Sequence, residues 1–185
     1  MQVGAAGVLV ATTVGVGGIM STTAEGKTPI ADNAQRLLID ALREIGGEVC
    51  LAAAGRLAAS APNSGITLAL RRAGIDACGA QRLAEALTEG EGGQSQSQLT
   101  SLSLSYNTLG DIGTLAIAKA LPQSIQALGL VDCGIGDPGG RALVAWASRA
   151  SNLQMICVEG NAFSAEVRRD LKRLSGRNRG LLVVV

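Results

Sequence analysis

The side chains that most often carry catalysis are thinly represented in this chain of 185 residues. It contains no histidine, which excludes Ser-His-Asp and Cys-His nucleophile systems and imidazole acid–base chemistry near neutral pH. A Ser–Lys pair would need a motif around Lys27, Lys119 or Lys172, and none is present. Glu89 and Glu91 lie in a Gly/Gln/Ser-rich stretch that would not keep water from a carboxylate. We therefore expect no catalytic residue and no enzymatic activity.

Metal and nucleotide sites are also disfavoured. No C-x-x-C pair and no histidine accompany the cysteines, which are Cys50, Cys78, Cys133 and Cys157. We expect free thiols, used as small buried groups in a reducing compartment, and no bound metal. The stretch 24–28 (AEGKT) is similar to part of a phosphate-binding loop, but the glycine required five residues before Gly26 is replaced by Ser21. We expect no cofactor.

Charge is balanced overall but not along the chain. Sixteen basic and fifteen acidic residues give a net charge of +1, which predicts no general attraction to nucleic acid or lipid. Positions 141 to 179 hold eight basic and three acidic residues. This region is either a solvated helix face with a polar tail or a basic patch that binds an acidic protein, RNA or an anionic membrane. The patch would comprise Arg168, Arg169, Lys172, Arg173, Arg177 and Arg179.

The N-terminal stretch 3–20 is uncharged and rich in glycine and β-branched residues. It is short for a membrane span, and basic residues are missing before Lys27, whereas a secretory or mitochondrial targeting signal would carry them. Three interpretations stay open: a membrane anchor, a cleaved targeting peptide, and a segment packed on this chain or on a partner.

Four segments from residue 66 onward share one template. Each contains two apolar residues two positions apart, which predicts a short strand with one buried face. The pairs are Leu68/Leu70, Leu102/Leu104, Leu128/Leu130 and Ile156/Val158. Three residues after each pair come Ala73, Asn107, Cys133 and Asn161, and two further on come Ile75, Leu109, Ile135 and Phe163. The Asn or Cys could satisfy backbone groups where the chain turns.

Helical periodicity follows each of these strands, as in Leu143, Ala147 and Ala150. Asp137 followed by Pro138 predicts one helix start, with the aspartate as cap, and Ser164 followed by Glu166 predicts another. A single strand–helix unit cannot close a core. Stacked units bury a continuous apolar layer and leave a strand-lined concave face and a helical convex face. We therefore predict an α/β solenoid with a curved parallel sheet.

This pattern resembles the leucine-rich-repeat family, specifically its ribonuclease-inhibitor-like subfamily. The resemblance covers residues 66–174 and is most specific in 99–121, which reads LxxLxLxxNxLGDxG before an amphipathic helix. The first unit departs from the family pattern in two ways: Ala73 replaces the ladder asparagine, and Arg71 and Arg72 stand side by side. The resemblance implies a solenoid of few repeats and a non-catalytic role in protein–protein interaction.

We divide the chain into an apolar segment (1–29), a cap or degenerate first repeat (30–65), four repeats (66–174) and a tail (175–185). Within the cap, 31–45 is predicted to be helical and 49–59 to be a strand or a helix. The aliphatic run 181–185 is either a closing strand or an apolar peg into another protein. Trp146 is expected to be packed on the third helix.

Strand residues between the buried leucines should point into the hollow of the solenoid, where a partner would bind. Tyr106 is the expected anchor, because binding energy concentrates in Tyr, Trp and Arg. The predicted protein-binding residues form a series from basic to acidic: Arg71, Arg72, Ser103, Ser105, Tyr106, Asp132 and Glu159.

The expected function is that of a structural or accessory subunit in a larger hetero-complex. We expect an intracellular location, in the cytoplasm or an organelle interior, and one of the open interpretations of residues 3–20 would bring the chain to a membrane. The alternative is a free soluble adaptor or regulator. Binding of RNA or an anionic surface through the basic patch ranks lower, because the strand face has a single aromatic residue to stack on bases.

Overall fold

The computed structural model describes residues 30–61, 65–89, 99–177 and 180–185. The candidate membrane segment 3–20, the stretch 24–28, Glu91 and Arg179 lie outside the described residues. Six helices and five strands occupy the described ranges. The helices are α1 (Ile30–Ile45), α2 (Glu48–Ala59), α3 (Ala77–Glu89), α4 (Gly110–Ala120), α5 (Asp137–Ala147) and α6 (Ala165–Arg177). The strands are β1 (Ile66–Ala69), β2 (Leu99–Ser103), β3 (Ala127–Gly129), β4 (Met155–Cys157) and β5 (Leu182–Val184).

The five strands form one parallel sheet in sequence order, with a helix between each strand and the next. Register places the same template position of every unit side by side, so that one row runs Leu68, Leu102, Leu128, Ile156 and Val183. The first four of these side chains are at most 2% exposed. The predicted α/β architecture, with one strand and one helix per repeat, is confirmed.

The helices form a single layer that covers the buried side of the sheet. Neighbouring helices pack in order from α3 to α6, and α1 continues the layer by packing against α3. Residues 49–59, for which a strand or a helix was open, lie in helix α2, which packs on α1 and reaches β1. The aliphatic run at 181–185 contains the closing strand β5. Trp146 is 2% exposed, as predicted, and its indole N–H donates to the Leu121 carbonyl over 3.2 Å.

Asparagine side chains tie each turn to the unit before it. Oδ1 of Asn161 accepts the N–H groups of Cys133 and Ile135 over 3.0 and 3.1 Å. Its amide N–H donates to the carbonyls of Leu130 and Val158 over 2.7 and 2.8 Å. Asn107 bonds the first repeat similarly, because its Oδ1 accepts the N–H of Ile75 over 3.0 Å and its amide N–H donates to the carbonyls of Leu70 and Leu104 over 2.8 and 2.7 Å. Cys133 stands at the same position in the third unit, and its thiol donates to the Leu104 carbonyl over 3.3 Å. The predicted backbone-satisfying role of these residues is confirmed.

Glycine sets the spacing between neighbouring helices. A Cβ added at Gly140 in α5 would lie 2.6 Å from Cγ1 of Val167 and 2.9 Å from Cδ1 of Phe163. A Cβ at Gly113 in α4 would lie 2.9 Å from Cβ of Ala80 in α3. Contacts this short would force rigid neighbours apart, so the helices can approach one another only because these positions have no side chain.

The prediction that Asp137 caps its own helix is wrong. α5 begins at Asp137 itself, Gly136 precedes it, and no side-chain hydrogen bond caps the helix from that position. Instead, Oδ1 of Asp111 from the preceding repeat accepts the N–H groups of Gly136 and Gly139, both over 2.9 Å. The Asp137 carboxylate reaches forward and accepts the N–H of Ser164 over 2.7 Å. The predicted start at Ser164 is confirmed, because its hydroxyl accepts the N–H of Val167 at the start of α6.

Neutralising Asp137 should give a pH-dependent loss of stability. The N–H and hydroxyl of Ser164 lower the pKa of this carboxyl, with a smaller contribution from the charge of Arg141. A lowered pKa in the folded state stabilises the fold above the ordinary carboxyl range, and the effect disappears as the pH falls through the folded-state pKa. Asp137→Asn should therefore lower the melting temperature at neutral pH, and the difference from wild type should shrink as acidification takes the pH down through the folded-state pKa of this carboxyl. The measurement is a thermal melt of each variant at several pH values, with Asp40→Asn on α1 as the control. A difference between Asp137→Asn and wild type that did not change with pH would contradict the prediction.

The prediction that the cysteines are free, buried thiols is only partly confirmed. All four are free thiols. Cys50 and Cys133 are buried and Cys157 is half-buried, but Cys78 is exposed near the start of α3. The prediction of a buried group is wrong for Cys78, because the helix periodicity that buries Gly79 and Ala80 turns position 78 outward.

Candidate interaction surface

The face of the sheet opposite the helices carries small side chains. Alternation along each strand places Ala69, Ser103, Gly129, Cys157 and Val184 in one row across the sheet, on the side away from the buried leucines. We call this side the open face. Ala69 is exposed and Ser103 is half-buried. The row has little side-chain bulk, so another chain could approach the backbone closely.

A second row borders the open face, at the turn that follows each strand. Arg72, Tyr106 and Asp132 occupy equivalent positions in three consecutive repeats, and all three have left-handed backbone conformations with φ of 52°, 61° and 52°. The backbone N–H of each residue donates to a carbonyl of the next repeat. The distances are 3.1 Å from Arg72 to Ser105, 2.7 Å from Tyr106 to Val131 and 2.8 Å from Asp132 to Glu159. We call these three residues the turn row. Its backbone is held rigidly by the repeat that follows.

The basic end of the turn row is organised around one aromatic ring. The guanidinium carbons of Arg71 and Arg72 each lie 4.7 Å from the centroid of the Tyr106 ring, within cation–π range. Both arginines are exposed, Tyr106 is half-buried, and neither arginine forms an ion pair with any residue that the structure describes. Two guanidinium groups thus contact one aromatic ring, and neither has a carboxylate partner among the described residues.

The acidic end of the same surface is formed by Asp132 and Glu159, which are both exposed. An open groove of about 510 Å³ is lined by Tyr106 and Asp132 together with Gly110 and Gly134. The structure therefore places Arg71, Arg72, Tyr106, Asp132 and Glu159 along one border of the open face, in the order that the sequence predicts.

Ser105 does not join the surface that was predicted for it. Its side chain is 4% exposed, because its hydroxyl turns back and accepts the N–H of Val131 over 3.1 Å. Ser105 therefore supports the turn of the next repeat and does not offer a hydroxyl to a partner.

Sequence reasoning did not assign two exposed apolar residues to the open face. Met155 and Leu182 are paired neighbours on β4 and β5, and they are 38% and 56% exposed. Each stands one residue before a member of the buried row, so strand alternation turns it to the open face. The signal was present in the sequence, since Met155 directly precedes Ile156, but only positions after the first buried residue were considered.

The predicted basic patch lies on α6, in the helix layer. The exposed residues Arg168, Arg169, Lys172 and Arg173 are on this helix, while the side chain of Arg177 and all of Arg179 are outside the described residues. Several of the arginines bond locally. Arg168 donates to the carbonyls of Phe163 and Asn161, and Arg173 pairs with Asp170 over 3.0 Å. This patch is separate from the open face.

The described part of the chain offers neither a candidate metal site nor a candidate membrane span. Within residues 30–61, 65–89, 99–177 and 180–185, no three His, Cys, Asp or Glu side chains come together in a way that could hold a metal ion. None of the helices in those ranges combines the length and the apolar character that a membrane crossing requires.

Comparisons with known proteins agree with this architecture. Residues 97–118 and 122–144 match a family model described as Leucine Rich repeat. An 86-residue part of the chain is 42% identical to PRAME family member 19 of Homo sapiens and 40% identical to PRAME family member 18 of the same species. The match covers 45% of this chain and 18% of each relative. The chain thus matches less than a fifth of the length of these relatives.

Proposed function

We propose that this chain, which is a leucine-rich-repeat protein, is a non-catalytic interaction module that binds a partner protein on the open face of its sheet. The proposed contacts are the turn row together with Arg71 and Glu159. Ser103 lies on the floor of this surface, and Met155 and Leu182 offer apolar contact beside it. The strand-plus-helix repeats also support the finer assignment to the ribonuclease-inhibitor-like type.

One observation carries the proposal most directly. A left-handed conformation costs a residue other than glycine about 1–2 kcal/mol, and in the fourth repeat the turn position is filled by Gly160, with φ of 72°. Glycine at this position is therefore sufficient for the turn to form. Arg72 and Tyr106 occupy this position despite the backbone cost, which favours a functional role for their side chains.

The rigidity of the surface supports useful affinity. Each backbone N–H of the turn row is bonded to the next repeat, and Tyr106 restricts the two neighbouring guanidinium groups. A surface that is already ordered loses little conformational entropy on binding. Tyrosine and arginine are also the residue types in which interface energy concentrates.

A non-catalytic role is supported by Cys133 and Cys157 as well as by the lack of histidine. Burial, and then the charge of Glu159, raise the pKa of Cys157, and burial raises the pKa of Cys133. A raised pKa keeps a thiol protonated at neutral pH, and the protonated form is not the nucleophile.

We further propose that the chain works inside the cell as an accessory subunit of a hetero-complex, with residues 3–20 as a candidate contact with a membrane or a neighbour. The exposed Met155 and Leu182 and the free thiols support this role. The native size of the endogenous protein, measured in gently solubilised membrane and soluble fractions, separates it from a free adaptor. A particle much larger than the 18.7 kDa chain is expected; migration as a single small species would favour the adaptor.

The open face can be tested with a double variant that spares the fold. Arg72→Gly with Tyr106→Gly removes the side chains where glycine suits the backbone, so the melting temperature should change by only a few degrees. Proteins that co-purify with the tagged full chain from its own cells should be measured by quantitative mass spectrometry. We expect at least a tenfold loss of the specific partner from the double variant.

The matched control removes charge from the helix layer instead. Arg169→Ser with Lys172→Ser changes two exposed residues of α6 and should retain the partner. If the double glycine variant keeps its full set of partners, the open face is not the binding site. RNA is measured in the same eluates; if RNA co-purifies and is lost only from the α6 variant, the basic patch is the functional surface.

A further inference from the structure

We propose that β5 binds an extended apolar segment of a partner protein as an additional strand, and that acidic residues flanking this segment lie against Arg168 and Lys172 of α6. The segment would pair with the side of β5 that faces away from β4, which we call the outer edge. The outer edge is at the end of the sheet and is separate from the turn row, so this is a second binding surface beyond the proposed function.

The backbone of β5 is paired on one side among the residues that the structure describes, since the sheet order ends at this strand. Toward β4, the N–H of Leu182 donates to the Gln154 carbonyl, and the Val184 carbonyl accepts the N–H of Val158, both over 2.8 Å. Neighbouring residues of a strand direct their backbone groups to opposite sides, so the N–H and carbonyl of Val183 point to the outer edge. Such an edge is a template for one further strand.

The side chains of β5 favour an apolar segment. Val183 belongs to the buried row whose other members are at most 2% exposed, yet Val183 itself is only half-buried. On the open face, Val184 is half-buried and Leu182 is 56% exposed. Apolar surface is therefore uncovered on both faces of the strand. A segment that is apolar on both of its faces would cover it, and an uninterrupted run of β-branched residues has this character.

The last helix does not leave room for another strand-plus-helix repeat. Five residues after the apolar residue of each turn, the chain has Ala80, Thr114 and Gly140, and these small buried residues contact the following helix. The equivalent residue of α6 is Arg168, which is exposed. Its long side chain occupies the flank on which a further helix would have to pack.

Arg168 also replaces a bond that a following repeat makes elsewhere. The carbonyls of Ile75 and Ile135 accept N–H groups from the repeats that follow them, over 3.0 and 2.9 Å. The equivalent carbonyl of Phe163 accepts Nε–H of Arg168 over 3.2 Å. The turn thus has its partner within its own repeat, while the outer edge of β5 can still pair. A partner that adds a strand without a helix fits this arrangement.

Charge on α6 favours an acidic partner over a second copy of this chain. Lys172 lies one turn after Arg168 on the same flank. Both are exposed, and neither forms an ion pair with any residue that the structure describes. If the β5 strands of two copies paired into a continuous sheet, two α6 helices would lie side by side with these like charges facing. Acidic residues beside the added strand would be attracted instead.

The test uses a synthetic peptide with five alternating valine and isoleucine residues between two pairs of glutamates. A second peptide has lysines in place of the glutamates. Binding of each peptide to the full chain is measured by isothermal titration calorimetry. Exchange of individual backbone amides with solvent is measured by NMR with and without peptide.

We expect the glutamate peptide to slow exchange of the Val183 amide at least tenfold, because the added strand accepts this N–H. The Leu182 amide already donates to β4 and should change less. The glutamate peptide should bind at least tenfold more tightly than the lysine peptide. Lys172→Glu should reduce this preference at least threefold, and Lys119→Glu, at an exposed position of α4, is the matched control that should not.

A backbone variant tests the added strand directly. Val183→Pro removes the outward N–H and leaves the bonds of Leu182 and Val184 to β4 in place. Val183→Ala is its control, because it trims the side chain and keeps the N–H. The glutamate peptide should bind Val183→Pro at least tenfold more weakly than Val183→Ala. Melting temperatures of both variants verify that they fold.

Other outcomes overturn the inference. They are no binding of the glutamate peptide, equal binding of the two peptides, and equal binding by Val183→Pro and Val183→Ala. If the chain alone sediments as a dimer in which the Val183 amide is protected, the occupant is a second copy.

Arg72→Gly with Tyr106→Gly should bind the glutamate peptide as wild type does, because the turn row is a different surface. Loss of binding from this double variant would move the peptide to the open face and overturn the inference. The proposed function is decided separately, by the co-purification experiment.

Discussion

Replacing Asn161 with leucine is expected to lower the free energy of unfolding by about 4 kcal/mol. The substitution leaves several buried backbone groups without a partner, and each such group costs about 1–3 kcal/mol. Leucine has a similar size but can neither accept the N–H groups of Cys133 and Ile135 nor donate to the carbonyls of Leu130 and Val158. Urea unfolding followed by far-UV circular dichroism measures the change. The single Trp146 provides an independent fluorescence signal from the core.

The control for this experiment is Asn152→Leu. Asn152 is exposed, and its amide donates to the Gln123 carbonyl over 3.1 Å. Because water can replace that bond, the control should change stability by less than about 1 kcal/mol. Similar losses for Asn161→Leu and Asn152→Leu would show that the buried asparagine bonds do not hold the repeats together.

Adding one methyl group at Gly140 should lower stability by about 2 kcal/mol, which is typical of overpacking in a dense core. The new Cβ would lie 2.6 Å from Cγ1 of Val167, whose side chain is 1% exposed and stiff at χ1. Helices α5 and α6 would therefore have to separate. Thermal and urea unfolding of Gly140→Ala measure the cost.

Gly55→Ala is the matched control for the backbone effect of the same substitution. Gly55 lies in α2, and a Cβ there would meet no atom within 4 Å. Alanine favours helix over glycine by about 1 kcal/mol, so this variant should be more stable than wild type. If Gly140→Ala were also stabilising, the close approach of α5 and α6 would not depend on glycine.

The architecture was predictable because it follows from spacing within each unit. Two apolar residues two positions apart, then Asn107 or Asn161 at a fixed interval, specify a strand and a turn wherever the unit lies in the chain. Parallel pairing of the strands then places equivalent positions of successive units side by side. The same spacing predicted the positions of Arg72, Tyr106 and Asp132 along one border of the sheet.

Two of the errors concern bonds between units. Ser105 and Asp137 both have polar side chains that local reasoning assigned to solvent or to their own helix, whereas the structure gives them partners 26 and 27 residues further along the chain. Such partners depend on how one repeat sits against the next, which no spacing within a single repeat reveals. Met155 was missed for a simpler reason, because the alternation was not extended to the start of the strand.

The carboxylates of Asp111 and Asp137 give the array of repeats a direction, because each one bonds to the repeat that follows it. Each holds the beginning of the helix in the following repeat, so the start of α5 or α6 depends on the unit before it. Boundaries of cooperative unfolding should therefore fall inside the repeats and not between them. A repeat moved to another place in the chain would have to receive an aspartate from its new predecessor, which limits how freely evolution or an engineer could shuffle these units.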